Sequence, residues 1–156
     1  MNVLIVDDSV EVRKGLSGVF HDLSPLIRIK EAQNGRQALN TMTSERFDLI
    51  TTDLEMEGGT GEVFIQHLQK SRILKKKPII IYSDKPYVET EADNIFYINK
   101  TATPMSELGN IVREIVFKYK VCPQCPEAIN KETCNNPCFY TGKDPRCRDN
   151  INKYLK

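Results

Sequence analysis

Asp48-Leu49-Ile50-Thr51-Thr52-Asp53 is the stretch on which the reading turns. The apolar pair and the two threonines favour extended backbone, and an acid stands where the strand runs out. Leu54-Glu55-Met56-Glu57-Gly58-Gly59-Thr60-Gly61 follows, a glycine-rich loop that leads into a helical pattern. In an open parallel α/β sheet, ligands bind just beyond the carboxyl ends of the strands. Asp53 is therefore placed to act on something rather than to pack.

The surrounding chain has the same character. Val3-Leu4-Ile5-Val6 is a continuous apolar run, as expected of a strand buried on both faces, and it ends in Asp7-Asp8-Ser9. Ser9 or Asp8 can cap the next helix, whose apolar stripe is Val12, Leu16, Val19, Phe20 and Leu23, and which Pro25 stops. Residues 27–32 alternate and read as an edge strand. Asn34-Gly35 reads as a turn before a short helix over 36–44 that uses Ala38, Leu39 and Met42. After the Asp53 strand, the pattern predicts a helix from 61 to about 71 with Phe64, Ile65 and Leu68 inward. Lys75-Lys76-Lys77 reads as a solvated loop, since three lysines in a row share no face. Residues 78–83 and 95–100 are two further strands, and 104–119 is the closing helix. Between those strands, 84–94 offers only Tyr87, Val88 and Ala92 to a core, with Pro86 early, so a shortened or irregular helix is expected. Five strands alternating with helices make an α/β fold, a parallel sheet with helices on both faces and right-handed crossovers.

The chain has 156 residues and a net charge of +1, with 40% hydrophobic and 28% charged residues. Such a balance suggests no polyanionic partner, and nucleic-acid binding is not expected. No apolar run approaches the ~20 residues of a membrane span. The start shows neither a basic region nor a cleavage site, so no signal peptide is read and a cytoplasmic location is expected. His21 and His67 lie on helical segments away from the strand ends and read as surface or partly packed residues.

Several strand ends carry chemistry: Asp7-Asp8, Asp53, Ser83 and Lys100. In a parallel sheet all lie at one edge. Clustered carboxylates need a cation to stay ionised together. Three of them with open water positions suit Mg²⁺. A lysine and a hydroxyl beside such a metal suit a phosphoryl group, and Asp53 then becomes a candidate nucleophile for an acyl phosphate.

These residues resemble the receiver domain of two-component response regulators. The resemblance covers residues 1–120. It rests on Asp7-Asp8, on Glu31-Ala32-Gln33-Asn34-Gly35-Arg36-Gln37-Ala38-Leu39, on Asp53-Leu54-Glu55-Met56, on Gly61 eight residues and Ser83 thirty residues past Asp53, and on Lys100. It implies a flavodoxin-like five-stranded sheet of order 2-1-3-4-5. It also implies a stand-alone signalling switch of a phosphorelay, phosphorylated on Asp53 by a histidine kinase or phosphotransfer protein and acting through contacts with an output protein. Phosphorylation-driven homodimerisation is a further candidate. The family is a phosphoacceptor with capacity to catalyse its own phosphorylation and dephosphorylation, rather than an enzyme with a separate substrate. By position, Asp7, Asp8, Asp53 and the backbone carbonyl of Glu55 would hold Mg²⁺. Lys100 would pair with the phosphoryl group, Ser83 would move to bond it, and Tyr97 would rotate inward as Ser83 moves.

Three departures stand out. The connection between Ser83 and Lys100 is shorter than the family's by about a helical turn or more, on the face receivers commonly use for partners and dimers. Thr101 follows Lys100 where the family has a proline on a cis bond. A cis bond to a non-proline costs about 3–4 kcal/mol, so a trans bond or local strain is expected. Glu57 replaces the usual proline four residues after Asp53; it reads as a solvated loop acid, and as an added negative charge near the site.

Residues 121–156 differ from the rest. They hold all five cysteines, Cys122, Cys125, Cys134, Cys138 and Cys147, and few residues able to build a core. A small unit of this kind needs a staple. Cys122-Pro123-Gln124-Cys125 is a knuckle that offers two thiolates to one metal, and the later cysteines supply the rest. Four of the five would ligate Zn²⁺ or, second, an iron–sulfur cluster; reduced thiols or a disulfide framework is the other reading. A second functional reading follows: a pseudo-receiver that is not phosphorylated and senses metal or redox state through its cysteines.

Overall fold

A computed structural model describes residues 1–57, 61–70, 77–87 and 92–118. The cysteine-rich segment, with its candidate metal site and the proposed 121–156 unit, lies outside the described residues, as do Val88, Lys75 and Lys76.

The elements run β1 (Asn2–Val6), α1 (Val10–Leu23), β2 (Arg28–Ala32), α2 (Gly35–Ser44), β3 (Leu49–Thr52), α3 (Gly61–Lys70), β4 (Ile79–Ser83), β5 (Ile95–Asn99) and α4 (Met105–Lys118). The strands form one sheet, β2-β1-β3-β4-β5, with every pairing parallel. This is the flavodoxin-like order that the resemblance implies.

Strand alternation divides the core in two. Val3 and Ile5 of β1 face Leu16 and Phe20 of α1 and Leu108, Val112 and Val116 of α4. Leu4 and Val6 face Ala38 of α2 and Phe64, Ile65 and Leu68 of α3. Because both faces are covered, β1 and β4 read as nearly continuous apolar runs, and every residue of β3 and β4 is buried, Thr51 and Thr52 included.

Local signals set most boundaries. Ser9 caps α1, its hydroxyl accepting from Val12 N–H at 3.3 Å. α1 ends at Leu23, two residues before Pro25. Asn34-Gly35 departs from the expected turn: Asn34 is the N-cap of α2, accepting from Gln37 N–H at 2.9 Å, and Gly35 is already helical. Asparagine and glycine suit a turn and a helix start alike, so local chemistry alone did not separate them. Lys77 also departs from expectation. Rather than standing in solvent, its Nζ lies 2.9 Å from Asp48 Oδ1, and its side chain is 21% exposed. Among the described residues between β4 and β5, none is helical. Tyr87 packs against the second core cluster from that connection.

Candidate functional site

β1 and β3 are neighbours, and the chain winds away from them in opposite directions, to β2 on one side and to β4 and β5 on the other. A crevice opens at such a reversal, outside the carboxyl ends of the strands. Asp7 stands there one residue past β1, and Asp53 one residue past β3. Ser83 is the last residue of β4, and Lys100 follows β5 immediately.

The structure brings these four together. Ser83 Oγ donates to Asp53 Oδ1 at 2.6 Å, and Glu55 N–H donates to the same oxygen at 3.0 Å. Lys100 Nζ bonds Asp7 Oδ2 at 2.8 Å and also bonds Asp53 Oδ2. Asp7, Asp53 and Ser83 are buried, and Asp8 is exposed at the rim. Asp7 Oδ1 accepts from Ser9 N–H at 2.9 Å, and Asp8 Oδ2 accepts from Glu57 N–H at 3.0 Å. The Glu57 side chain is itself exposed.

One lysine faces three acids, and the electrostatics show the mismatch. Burial pushes the Asp7 carboxyl above its ordinary range, against the pull of Lys100 and the Ser9 N–H, and the Asp53 charge adds to the push. For Lys100, burial works to lower the pKa. The hydrogen bonds and charges of Asp53 and Asp7 outweigh it and hold the ammonium above its ordinary value. A hard divalent cation fits this donor set. Asp7, Asp8 and Asp53 each offer a carboxylate oxygen, and these oxygens lie within 4.8 Å of one another. The Glu55 peptide lies against Asp53 through its N–H.

Gly61 shows why the loop after β3 can pass so close. A Cβ at position 61 would stand 2.0 Å from the Asp53 carbonyl oxygen and 2.7 Å from Leu54 Cα. Only glycine permits that approach, and Gly61 N–H closes the loop on Leu54 O at 3.0 Å.

Tyr97 sits two positions below the end of β5, half-buried. Its ring stacks on that of Tyr87 at 6.4 Å, and Asn99 Nδ2 donates to its hydroxyl at 3.4 Å. Thr101 N–H donates to Asp84 Oδ1 at 2.8 Å, which ties the loop after β5 to the loop after β4. Hydrogen bonds from the Thr101 side chain and backbone hold the exposed Asp84 carboxyl below its ordinary range.

Three neighbours of the site escaped the sequence reading. The Tyr82 ring lies 5.8 Å from Lys100 Nζ, and its hydroxyl donates to Thr103 O at 3.0 Å. Lys85 pairs with Glu62 at 2.9 Å, which raises its pKa. Arg13 donates to the carbonyls of Asp7 and Asp8. An arginine one turn into an amphipathic helix carries no local mark of such a role.

Residues 3–102 match the family described as the response regulator receiver domain. The chain belongs to that family. It is a receiver of two-component signalling, and its matching region reaches all five strands of the sheet, leaving out only Asn2 of β1. A chemotaxis protein CheY of Pseudomonas aeruginosa is 32% identical over 81 residues, 52% of this chain and 64% of that protein. A protein-glutamate methylesterase/protein-glutamine glutaminase of Treponema denticola is 40% identical over 84 residues, 53% of this chain. The receiver spans only 22% of that methylesterase and 35% of a Geobacillus kaustophilus one. Among solved structures, CheY4 of Vibrio cholerae shares the fold, with a TM-score of 0.62 and 24% identity over 73% of this chain and 97% of that one. A chain from the complex of the Thermotoga maritima histidine kinase ThkA with the response regulator TrrA gives a TM-score of 0.59 at 25% identity, over 74% of this chain and 97% of that one. No helix among the described residues is long and apolar enough to cross a membrane.

Proposed function

We propose that this receiver is a phosphoacceptor switch, with Asp53 as the acceptor and a histidine kinase or phosphotransfer protein as the donor. The observation that supports it most is the pair of donors on the Asp53 carboxylate, Ser83 on one oxygen and Lys100 on the other, beside two further acids. An Asp53 oxygen attacks the phosphorus, forming the O–P bond as the bond to the donor's nitrogen or oxygen breaks. Asp7, Asp8, Asp53 and the Glu55 carbonyl would hold Mg²⁺, which supplies positive charge to the phosphoryl oxygens when bound. Lys100 supplies a fixed positive charge beside the Asp53 carboxylate, already desolvated and paired. After transfer, Ser83 Oγ turns from the carboxylate to a phosphoryl oxygen.

That turn is the switch. Ser83 ends β4 beside Asn99, and Tyr97 lies two residues back on β5. Inward rotation of Tyr97 would follow the Ser83 hydroxyl and break the stack on Tyr87, favouring a second packing of this face. The output is contact with a partner protein or a second copy. In this reading 1–120 is the receiver and 121–156 is an extension whose cysteines bind Zn²⁺ or an iron–sulfur cluster.

The test is incubation with Mg²⁺ and a small phosphodonor, followed by intact mass measurement. One phosphoryl group should be added, and none to Asp53→Asn. Absence of incorporation from every small donor and kinase tried would sink the reading. The confinement of all five cysteines to one segment favours a second one, in which the receiver fold is kept and those cysteines sense metal or redox state. It would win if chelation or thiol oxidation altered partner binding while phosphorylation left it unchanged.

A further inference from the structure

The Asp7-Asp8 elbow is held from outside the site by one side chain. Arg13 lies on α1, and its side chain is only 12% exposed. Its Nη1 donates to the Asp7 carbonyl at 2.7 Å and to the Asp8 carbonyl at 3.2 Å. Its Nε donates to Glu31 Oε2 at 2.9 Å, and Ser17 Oγ donates to Glu31 Oε1 at 3.3 Å. The guanidinium thus joins three elements: the loop after β1, helix α1 and the edge strand β2.

We infer that Arg13 is a positioning residue for the acids that take the cation. This rests on the function proposed above. The elbow has left the sheet, since β1 ends at Val6. Within it, Asp7 N–H still reaches Ala32 O at 3.1 Å, but the two carbonyls point away from that ladder and meet the guanidinium. A planar fork can hold two carbonyls and a carboxylate in one geometry, and an ammonium cannot. The carboxylates are meanwhile aimed by other groups, Ser9 N–H and Lys100 on Asp7 and Glu57 N–H on Asp8. The backbone of the elbow is held by Arg13 and the side chains by their own donors. Without Arg13 the two acids keep their chemistry and lose their mutual placement. Loss of such an outer support commonly costs 10–100-fold in metal affinity.

Mg²⁺ titration followed by calorimetry, on the full chain, tests this with wild type, Arg13→Met and Arg13→Lys. Metal-free thermal melting runs alongside. The dissociation constant should rise about tenfold or more in Arg13→Met. It should rise less in Arg13→Lys, which keeps the charge but not the planar fork, while both variants remain folded at the titration temperature. Wild-type affinity in both variants would overturn the inference. So would a loss of binding that merely tracks the fraction of unfolded protein. If Arg13→Met does not fold, Arg13→Lys carries the test alone, and unchanged affinity there overturns it. Failure of wild type to bind Mg²⁺ overturns the metal reading itself, and this inference with it.

Discussion

At the edge where the strands begin, Asp48 accepts from Lys77 Nζ at 2.9 Å and from Asn2 N–H at 3.0 Å. At the edge where they end, Lys100 faces Asp7 and Asp53, with Asp8 close by. Both edges use an aspartate and a lysine. At the first, Lys77 pairs with Asp48, the side chains are 21% and 28% exposed, and Asn94 Nδ2 braces the Lys77 carbonyl at 2.7 Å. At the second, three acids meet one lysine, Lys100 is 18% exposed and two of the acids are nearly sealed. A lysine–aspartate pair near solvent joins a loop to the start of a strand. A buried pair with negative charge left over is unfinished, and what would complete it is a cation. The same chemistry is structural at one edge and functional at the other because of its stoichiometry and burial.

Substitution at equivalent places can break this contrast. The largest effect is expected on phosphorylation. Asp53→Asn should abolish incorporation from a small phosphodonor, and Asp48→Asn should retain it, both read by intact mass. Next comes stability without metal. Lys100→Met leaves buried acids uncompensated and should cost about 3 kcal/mol in urea unfolding. Lys77→Met, at a pair closer to water, should cost about 1 kcal/mol or less. Equal costs would mean that the edges do not differ in kind.

Metal should separate them further. Mg²⁺ at a hundred times its dissociation constant should raise wild-type stability by about 2.7 kcal/mol. Asp48→Asn should show the same gain, and Asp7→Asn little of it. The sign with pH follows from the raised Asp7 pKa. Its ionised form is disfavoured by folding, so its cost to the metal-free protein is present at neutral pH. That cost is relieved as pH falls through the folded pKa toward the ordinary value of about 3.9. Mg²⁺ affinity should fall through the same window, because the proton competes for the ligand. Titration of the binding constant from neutral pH downward checks this.

The smallest effect concerns Glu57. Its N–H holds Asp8, while its side chain is exposed. Glu57→Ala keeps the donor and should bind Mg²⁺ within about twofold of wild type in the same titration. A larger change in Glu57→Ala would assign a role to the side-chain charge instead.

Much of this was readable along the chain. The apolar runs of β1 and β4 followed from burial on both faces, and the acids just past β1 and β3 marked the working edge. Ser9 as a cap and Pro25 as a stop are local rules obeyed locally. The helix stripes of α1 and α3 were periodic enough to name inward residues, among them Leu16, Phe20, Phe64, Ile65 and Leu68. The reading failed where one residue suits two local roles, as at Asn34-Gly35, or where the partner is distant. Lys77 looked like one of three solvated lysines because Asp48 lies 29 residues away.

What the sequence determined by itself is the order of elements, the two-faced burial and the identity of the acids, hydroxyl and lysine at strand ends. These depend on periodicity and on residue type, which are properties of neighbouring residues. What only the tertiary structure decided is who meets whom across the crevice. Lys100 pairs with Asp7 across 93 residues, and Glu57 N–H meets Asp8 across 49. Arg13 is closer in sequence, yet its partners lie in a loop and on a separate strand. Such meetings are set by strand order, register and loop path, and a one-dimensional pattern carries none of these.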